Sequence, residues 1–392
     1  MTLSGQGGSW HTGGELRIFT PVMNAYLSDK VRVVTLFTMV LLTLVHAYTY
    51  PSNTFTGVAM SLDGLVFAIQ YFISQGLAKF RVPMFFILSG YFFVAAVIKT
   101  KNGTRIQFIK RMRTIALPYM LWSLIGLLAY GTMQWPAAMR TFFPNNQVWG
   151  LSPFQLLEKI LVDPIPYQLW FLRDLMILFA LTPLIQYAVR WAGILAILPP
   201  TLTWLFEVDL VILNNGSLPF YMAGAWLAMR GPTQEPHIGP RQRLVIVIGW
   251  LALLAVKTGL VLTRSVDIAV IRQIHHLAVL WGLVAVWVGY DLLVKDRDVK
   301  QLALYPLTRF SFFLYVSHEP LLTVVKKILF MLPGHGPMKA LLVYCAAPTI
   351  TITVCFAMAA WLLRHAPRTY SLLTGGRGVL RKATTAAIPV AA

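Results

Sequence analysis

Residues 81–93 read Arg81-Val-Pro-Met-Phe-Phe-Ile-Leu-Ser-Gly-Tyr-Phe-Phe93, and this stretch decides the class of the molecule. It is apolar enough for lipid, yet it opens on a guanidinium and carries a proline, a serine and a glycine. A charge at the head of a lipid-embedded segment is costly and needs a partner or a task. The rest of the chain extends the theme. It has 392 residues, 57% hydrophobic and only 12% charged, where a soluble domain carries about 25%. Mean hydropathy is +0.66. The composition points to an all-α polytopic membrane protein.

Apolar runs of spanning length fall near 31–50, 79–98, 116–134, 168–188, 191–206, 214–230, 242–263, 273–293, 308–331 and 338–363, so about ten transmembrane helices are expected. A shorter run, 62–76, reads as an interfacial element or an extension of the second span. Residues 99–113 hold Lys99, Lys101, Arg105, Lys110, Arg111 and Arg113 with no acidic residue, which makes this loop cytoplasmic by the positive-inside rule. Alternation then puts the basic loops near 230–243 and 294–307, and both termini, on the same side. The net charge of +19 is distributed between apolar runs. It therefore reads as topology determinants and anionic-lipid contacts and not as a nucleic-acid footprint. The chain divides into a cytoplasmic N-terminal arm (1–29), a membrane domain (30–363) and a basic cytoplasmic tail (364–392).

Residues 1–29 are polar and Gly-rich, with no short apolar core and cleavage site, so no cleaved signal peptide is expected. Cys345 and Cys355 share one apolar run; ten helical steps put them about 15 Å apart, too far for a disulfide. The longest outer connection, 135–167, contains Trp135, Phe142, Phe143, Pro144, Asn145, Asn146 and an amphipathic stretch from Phe154. Long ordered connections are often functional.

Chemistry needs groups that the lipid phase would otherwise reject. His46 lies near the outer end of the first span, and imidazole moves protons near neutral pH; the bland alternative is an interfacial histidine bonded to a neighbouring helix. Arg32 opens the same span. Fourteen steps separate it from His46, so the two side chains point within about 40° of each other but lie about 21 Å apart. Arg81 either snorkels to the interface or faces inward to hold an oxyanion. Ser89-Gly90 suits a close helix contact or a place where substrate meets backbone. Arg111 and Arg113 serve topology, or bind an anionic cytoplasmic donor. Trp170 fits an interfacial belt, while Arg173 and Asp174 need partners inside the bundle. His318 and Glu319 beside Pro320 break a span with ionisable groups, a site signal in a membrane. No metal-ligand spacing, phosphate-binding loop or nucleophile elbow is present.

These pieces together resemble the acyltransferase-3 family, integral membrane enzymes that O-acylate carbohydrates. The matching features, in order, are His46, Pro83-Met-Phe-Phe-Ile-Leu-Ser-Gly-Tyr91, the basic stretch Arg111 to Pro118, Leu169-Trp-Phe-Leu172, and Ser311 to His318. One departure is visible. The family pattern places an arginine ten residues before the histidine; here thirteen residues separate Arg32 from His46, and the ten-residue position is Thr35. The helical face is kept and the height is not.

The resemblance implies a bacterial inner-membrane O-acyltransferase. Acyl-CoA, most often acetyl-CoA in the family, docks at the cytoplasmic face through Arg111, Arg113 or Arg32. His46 serves as general base or transient acyl carrier, and Arg81 stabilises charge on the reacting carbonyl. Ser89, Trp170, Arg173, Asp174, His318 and Glu319 support the substrate or the site. The acceptor is an exported glycan or lipid-linked sugar, and no metal is needed. Succinyl is the alternative acyl group. The rival of another class is a secondary transporter of a small anion or sugar-lipid; such proteins often show two similar halves, and no matching halves occur here.

Overall fold

The computed structural model describes residues 25–50, 55–143, 146–208, 210–231, 238–294 and 297–378. The expected N-terminal arm before residue 25, Pro144 and Asn145, and the tail beyond 378 lie outside the described residues. Within them every regular element is helical. In chain order these are α1 (Ala25–Ala47), α2 (Leu62–Tyr71), α3 (Arg81–Ile98), α4 (Gly103–Arg111), α5 (Leu117–Met133), α6 (Ala137–Arg140), α7 (Pro153–Leu161), α8 (Trp170–Ala192), α9 (Leu198–Leu205), α10 (Ser217–Arg230), α11 (Pro240–Thr263), α12 (Ile268–Val294), α13 (Ser311–Met331), α14 (Pro337–His365) and α15 (Pro367–Thr374). π-Helical turns, Phe72–Leu77 and Met112–Ala116, follow α2 and precede α5.

Seven stretches among the described residues are long and apolar enough to cross a bilayer: Ala25–Ala47, Leu62–Ile98, Gly103–Met133, Tyr167–Leu205, Pro240–Thr263, Ile268–Val294 and Pro337–His365. Ten were expected, and the difference has three physical sources. The runs 168–188 and 191–206 merge, because the short 3-10 turn Gly193–Ile197 carries α8 into α9. Helix α10 has 14 residues, about 21 Å, against a hydrocarbon core of about 30 Å. Helix α13, at 21 residues, is long enough but carries His318, Glu319, Lys326 and Lys327, and it is interrupted at Glu319, whose backbone is extended (φ −105°, ψ 137°) ahead of Pro320. The run 62–76 joins α3 through the first π-helical turn, as an extension of the second span.

The interior is held by close helix contacts. A Cβ on Gly90 of α3 would lie 2.2 Å from the Tyr221 carbonyl of α10, and one on Gly224 would lie 2.0 Å from the Ile87 carbonyl. The two backbones touch at reciprocal glycines, the small-residue packing that lipid favours because hydrophobicity gives no drive between helices. The outward faces are apolar: Leu128, Leu184 and Trp191 are 57%, 67% and 84% exposed. In water such a surface would aggregate; in a bilayer it is solvated.

The start of α1, the end of α12 and the segment leading into α13 meet at one end of the bundle. There the Lys30 ammonium pairs with Asp291 at 2.8 Å, Tyr305 bonds to Asp29, and Arg309 donates to the Gly378 carbonyl at 3.0 Å. Part of the expected tail is folded at this end. Helix α15 buries Tyr370 against Phe313, and Trp122 Nε1 donates to the Leu373 carbonyl at 3.0 Å. The opposite end carries the last turn of α1, α6, α7 and the α11–α12 connection.

Candidate active site

One cavity of about 340 Å³ runs along α1 from Val31 to His46, a distance of about 22 Å at 1.5 Å per residue. Its other walls come from α3, α8, the turn before α5 and α13. The middle is apolar and aromatic (Met39, Phe85, Phe92, Phe171, Phe179), and each end is polar. His46 and Arg81 stand at one end, Arg111 and Arg377 at the other.

At the first end two imidazoles are joined. Helix α13 unwinds at Glu319–Pro320, so His318 sits in the last turn before the break, fully buried. Its Nδ1 lies 3.1 Å from the Leu314 carbonyl, and a carbonyl only accepts, so Nδ1 carries the proton. His318 Nε2 is then an acceptor, and His46 Nδ1–H donates to it at 2.9 Å. This network assigns the tautomer of His46 and leaves its Nε2 with a free lone pair. Lys326 holds the end of α1 from the far side, donating to the His46 and Tyr48 carbonyls at 3.0 Å each. Tyr167 packs on the His46 ring, centroids 4.7 Å apart, and its hydroxyl donates a long bond to Glu319 Oε1 at 3.4 Å.

Arg81 heads α3 and is 8% exposed. Its Nη1 donates to the Ala78 carbonyl at 2.8 Å, a bond that folds the side chain back on its own turn. Its Nε has no partner among the described residues, a costly state for a buried donor unless a ligand answers it. Ser89 lines the cavity while Gly90 faces α10, so the two readings of that dipeptide apply to different residues. Trp170 and Gln168 also line the cavity. Gln168 is fixed by Tyr315, whose hydroxyl donates to its main-chain carbonyl at 2.6 Å.

The other end is built around a proline. Pro118 has no N–H to offer the carbonyl four residues back, and Arg377 Nη1 donates to that carbonyl, Thr114 O, at 2.6 Å. Arg377 also stacks over Phe312, 4.1 Å from the ring centroid. Burial, and then the neighbouring Arg111, lower the Arg377 guanidinium to about 10. Arg111 Nε is buried without a partner among the described residues. Two adjacent guanidiniums facing one cavity form a receptor for an anion. Arg32 and Arg113 are exposed and do not line the cavity; Thr35 does.

Residues 29–360 match the model of the Acyltransferase domain, the acyltransferase-3 family. This chain belongs to that family. Among curated proteins the acyltransferase is similar to the succinoglycan biosynthesis protein ExoH of Rhizobium meliloti (strain 1021). They share 25% identity over 376 residues, 92% of this chain and 96% of the relative. No solved structure matches.

The remaining candidates, Arg173 and Asp174, lie off the cavity of the acyltransferase. Asp174 is fully buried and accepts from Ser217 Oγ (2.6 Å), Asn214 N (2.9 Å) and Arg173 Nη2 (3.0 Å). Arg173 also donates to the Val162 and Ile212 carbonyls. The pair ties the connections before α8 and α10 together. Among the described residues no cluster of three or more His, Cys, Asp or Glu could hold a metal. Arg377, Gln168 and Lys326 escaped the sequence reading. Arg377 looked like one more topology charge, Gln168 carries no charge, and Lys326 follows a break whose depth only the fold reveals.

Proposed function

We propose that this protein is an inner-membrane O-acyltransferase that moves an acyl group from acyl-CoA to a hydroxyl of an exported polysaccharide or its lipid-linked precursor. The observation that carries the reading is the single cavity with a guanidinium pair at one end and the His46–His318–Arg81 group at the other. In this reading the basic end faces the cytoplasm, as the loop charges require. Arg111 and Arg377 hold the phosphates of coenzyme A there, and the thioester reaches Arg81 along the aromatic middle of the cavity.

His46 Nε2 takes the proton from the acceptor hydroxyl, and the oxygen attacks the thioester carbonyl. The developing oxyanion meets the Arg81 guanidinium, whose Nε is unpaired. Collapse of the tetrahedral intermediate breaks the carbon–sulfur bond and leaves the ester. The imidazolium returns its proton to the departing thiolate, which leaves as coenzyme A thiol. His318 keeps His46 in the tautomer that this sequence of steps needs.

Acetyl is the first choice of acyl group. Succinyl is the second. The similarity to a succinoglycan biosynthesis protein supports a polysaccharide acceptor. The test uses purified protein in proteoliposomes with acetyl-CoA or succinyl-CoA and the producing organism's surface glycan. Wild type should release free thiol and add one acyl mass to the glycan, and His46→Ala should do neither. Full acylation by a normally folded His46→Ala variant would sink the assignment.

A further inference from the structure

A second cavity, of about 420 Å³, opens at the His46 end of the bundle between α2, α11 and α12. Its lining includes Lys79, Lys257, Arg264, Arg272 and His275, against one carboxylate among the described residues, Glu207. Glu207 is already paired with Arg272 at 2.9 Å. Lys257 is 2% exposed, donates to the Gln75 carbonyl at 2.8 Å and lies 3.1 Å from His275 Nδ1. An ammonium has no lone pair, so His275 Nδ1 accepts, and its Nε2 must be the protonated, donating nitrogen. The Lys79 ammonium has no hydrogen-bond or ion-pair partner among the described residues. A cavity with this many cations and one spent carboxylate is incomplete without an anion.

Position says which anion. Lys79 and Arg81 leave the same turn of chain, the one whose Ala78 carbonyl holds Arg81 Nη1. Lys79 lines this cavity and Arg81 lines the cavity of His46. The guanidinium pair that suits the donor is at the opposite end. Arg264, at the rim, donates to the Gly57 carbonyl in the segment after α1, so the cavity opens beside the His46 end.

We propose that this second cavity is the acceptor's anion site: it takes an oxyanion, carboxylate or phosphate, borne by the glycan or its lipid carrier, and so places a neighbouring hydroxyl toward His46. The assignment to an acceptor rests on the acyl-transfer reading; the binding of an oxyanion does not. Lys79 and Lys257 supply the charge, His275 Nε2–H a neutral donor, and Arg264 the rim contact.

The test measures binding to the full-length protein in zwitterionic nanodiscs, with no acyl donor present. The probes are tetragalacturonate, its uncharged methyl ester, and farnesyl diphosphate. Either anionic probe should bind wild type at least about tenfold more tightly than the methyl ester, and the stronger of the two identifies the oxyanion. Lys79→Gln, which breaks no hydrogen bond, and Arg264→Gln, at an exposed position, should each lose about tenfold, roughly 1.4 kcal/mol, for that probe alone. Equal binding of charged and methylated probes overturns the proposal, as does wild-type affinity in both variants. Competition by phosphatidylglycerol nanodiscs with no binding of either probe also overturns it, since the cavity would then hold a membrane lipid. Acyl-CoA binding, measured in parallel in Arg111→Gln, separates the two readings: if wild type fails to bind acyl-CoA, the transfer reading falls and the anion site stands.

Discussion

The chemistry of His46 is set by an atom it does not own. The Leu314 carbonyl fixes the proton on His318 Nδ1, and that choice propagates to His46 through one hydrogen bond. Removing His318 leaves His46 free to take either tautomer and either ring orientation. General-base catalysis is worth about 10² to 10⁴, and in the proposed mechanism His318 only orients the base. His318→Ala should therefore lower kcat by about tenfold to a hundredfold while KM for acyl-CoA changes little. A thiol-release assay over a range of donor concentrations checks the split; a change confined to KM would place His318 in donor binding instead. Both histidines were legible in the sequence as ionisable groups in apolar runs. Their contact was not, because 272 positions separate them and only the break before Pro320 orients the second. Arg81 was legible in the same way. Arg377 was not, since a basic residue after the last span has the look of a topology charge until the fold carries it back to Thr114.

At the scale of elements, α3 and α10 are locked by backbone contact. Gly90→Ala puts a methyl 2.2 Å from a carbonyl oxygen, so one helix must move. Overpacking of this kind costs about 1–3 kcal/mol, and the melting temperature in detergent should fall; Ser89→Ala, which faces the cavity, should leave it nearly unchanged. The Asp174 cluster ties the two connections that flank α8 and α10. Asp174→Ala leaves the Arg173 guanidinium without its buried partner and should destabilise by about 3 kcal/mol, seen as loss of folded protein on heating before any effect on donor binding. A charge pair inside an apolar run announced that partners exist. Ser217 and Asn214 as those partners were hidden, because they belong to a connection with no periodicity. The π-helical turn Met112–Ala116 was hidden too: Pro118 marks a disturbance but does not say that Arg111 turns inward while Arg113 turns out. Helix α7, with a capping box at Ser152 and Gln155, exposes Phe154 at 77%.

For the molecule as a whole, sidedness is the property most open to test. With Cys345 and Cys355 removed, Lys101→Cys should react with a membrane-impermeant maleimide only from the cytoplasmic side, and Phe154→Cys only from the opposite side. Labelling of both from one side would invert or collapse the topology. The donor end makes a second claim. Acyl-CoA affinity should fall only moderately with added salt, because Arg111 and Arg377 are largely buried and buried charges are screened less than exposed ones. A chain stopped after residue 366 lacks α15 and Arg377 and should lose most of that affinity. That the molecule crosses the membrane many times could be read directly from composition. The number of crossings could not, because merged helices, a short helix and a broken one all present apolar runs of similar length. The long cavity has one more consequence, for biosynthesis. Its wall begins at Val31 and is closed by Arg377, so nearly all of the chain must leave the ribosome and enter the membrane before the cavity is complete. A half-made chain carries His46, Arg81 and Arg111 but lacks both His318, the partner of His46, and Arg377, so both ends of the cavity stay unfinished during translation.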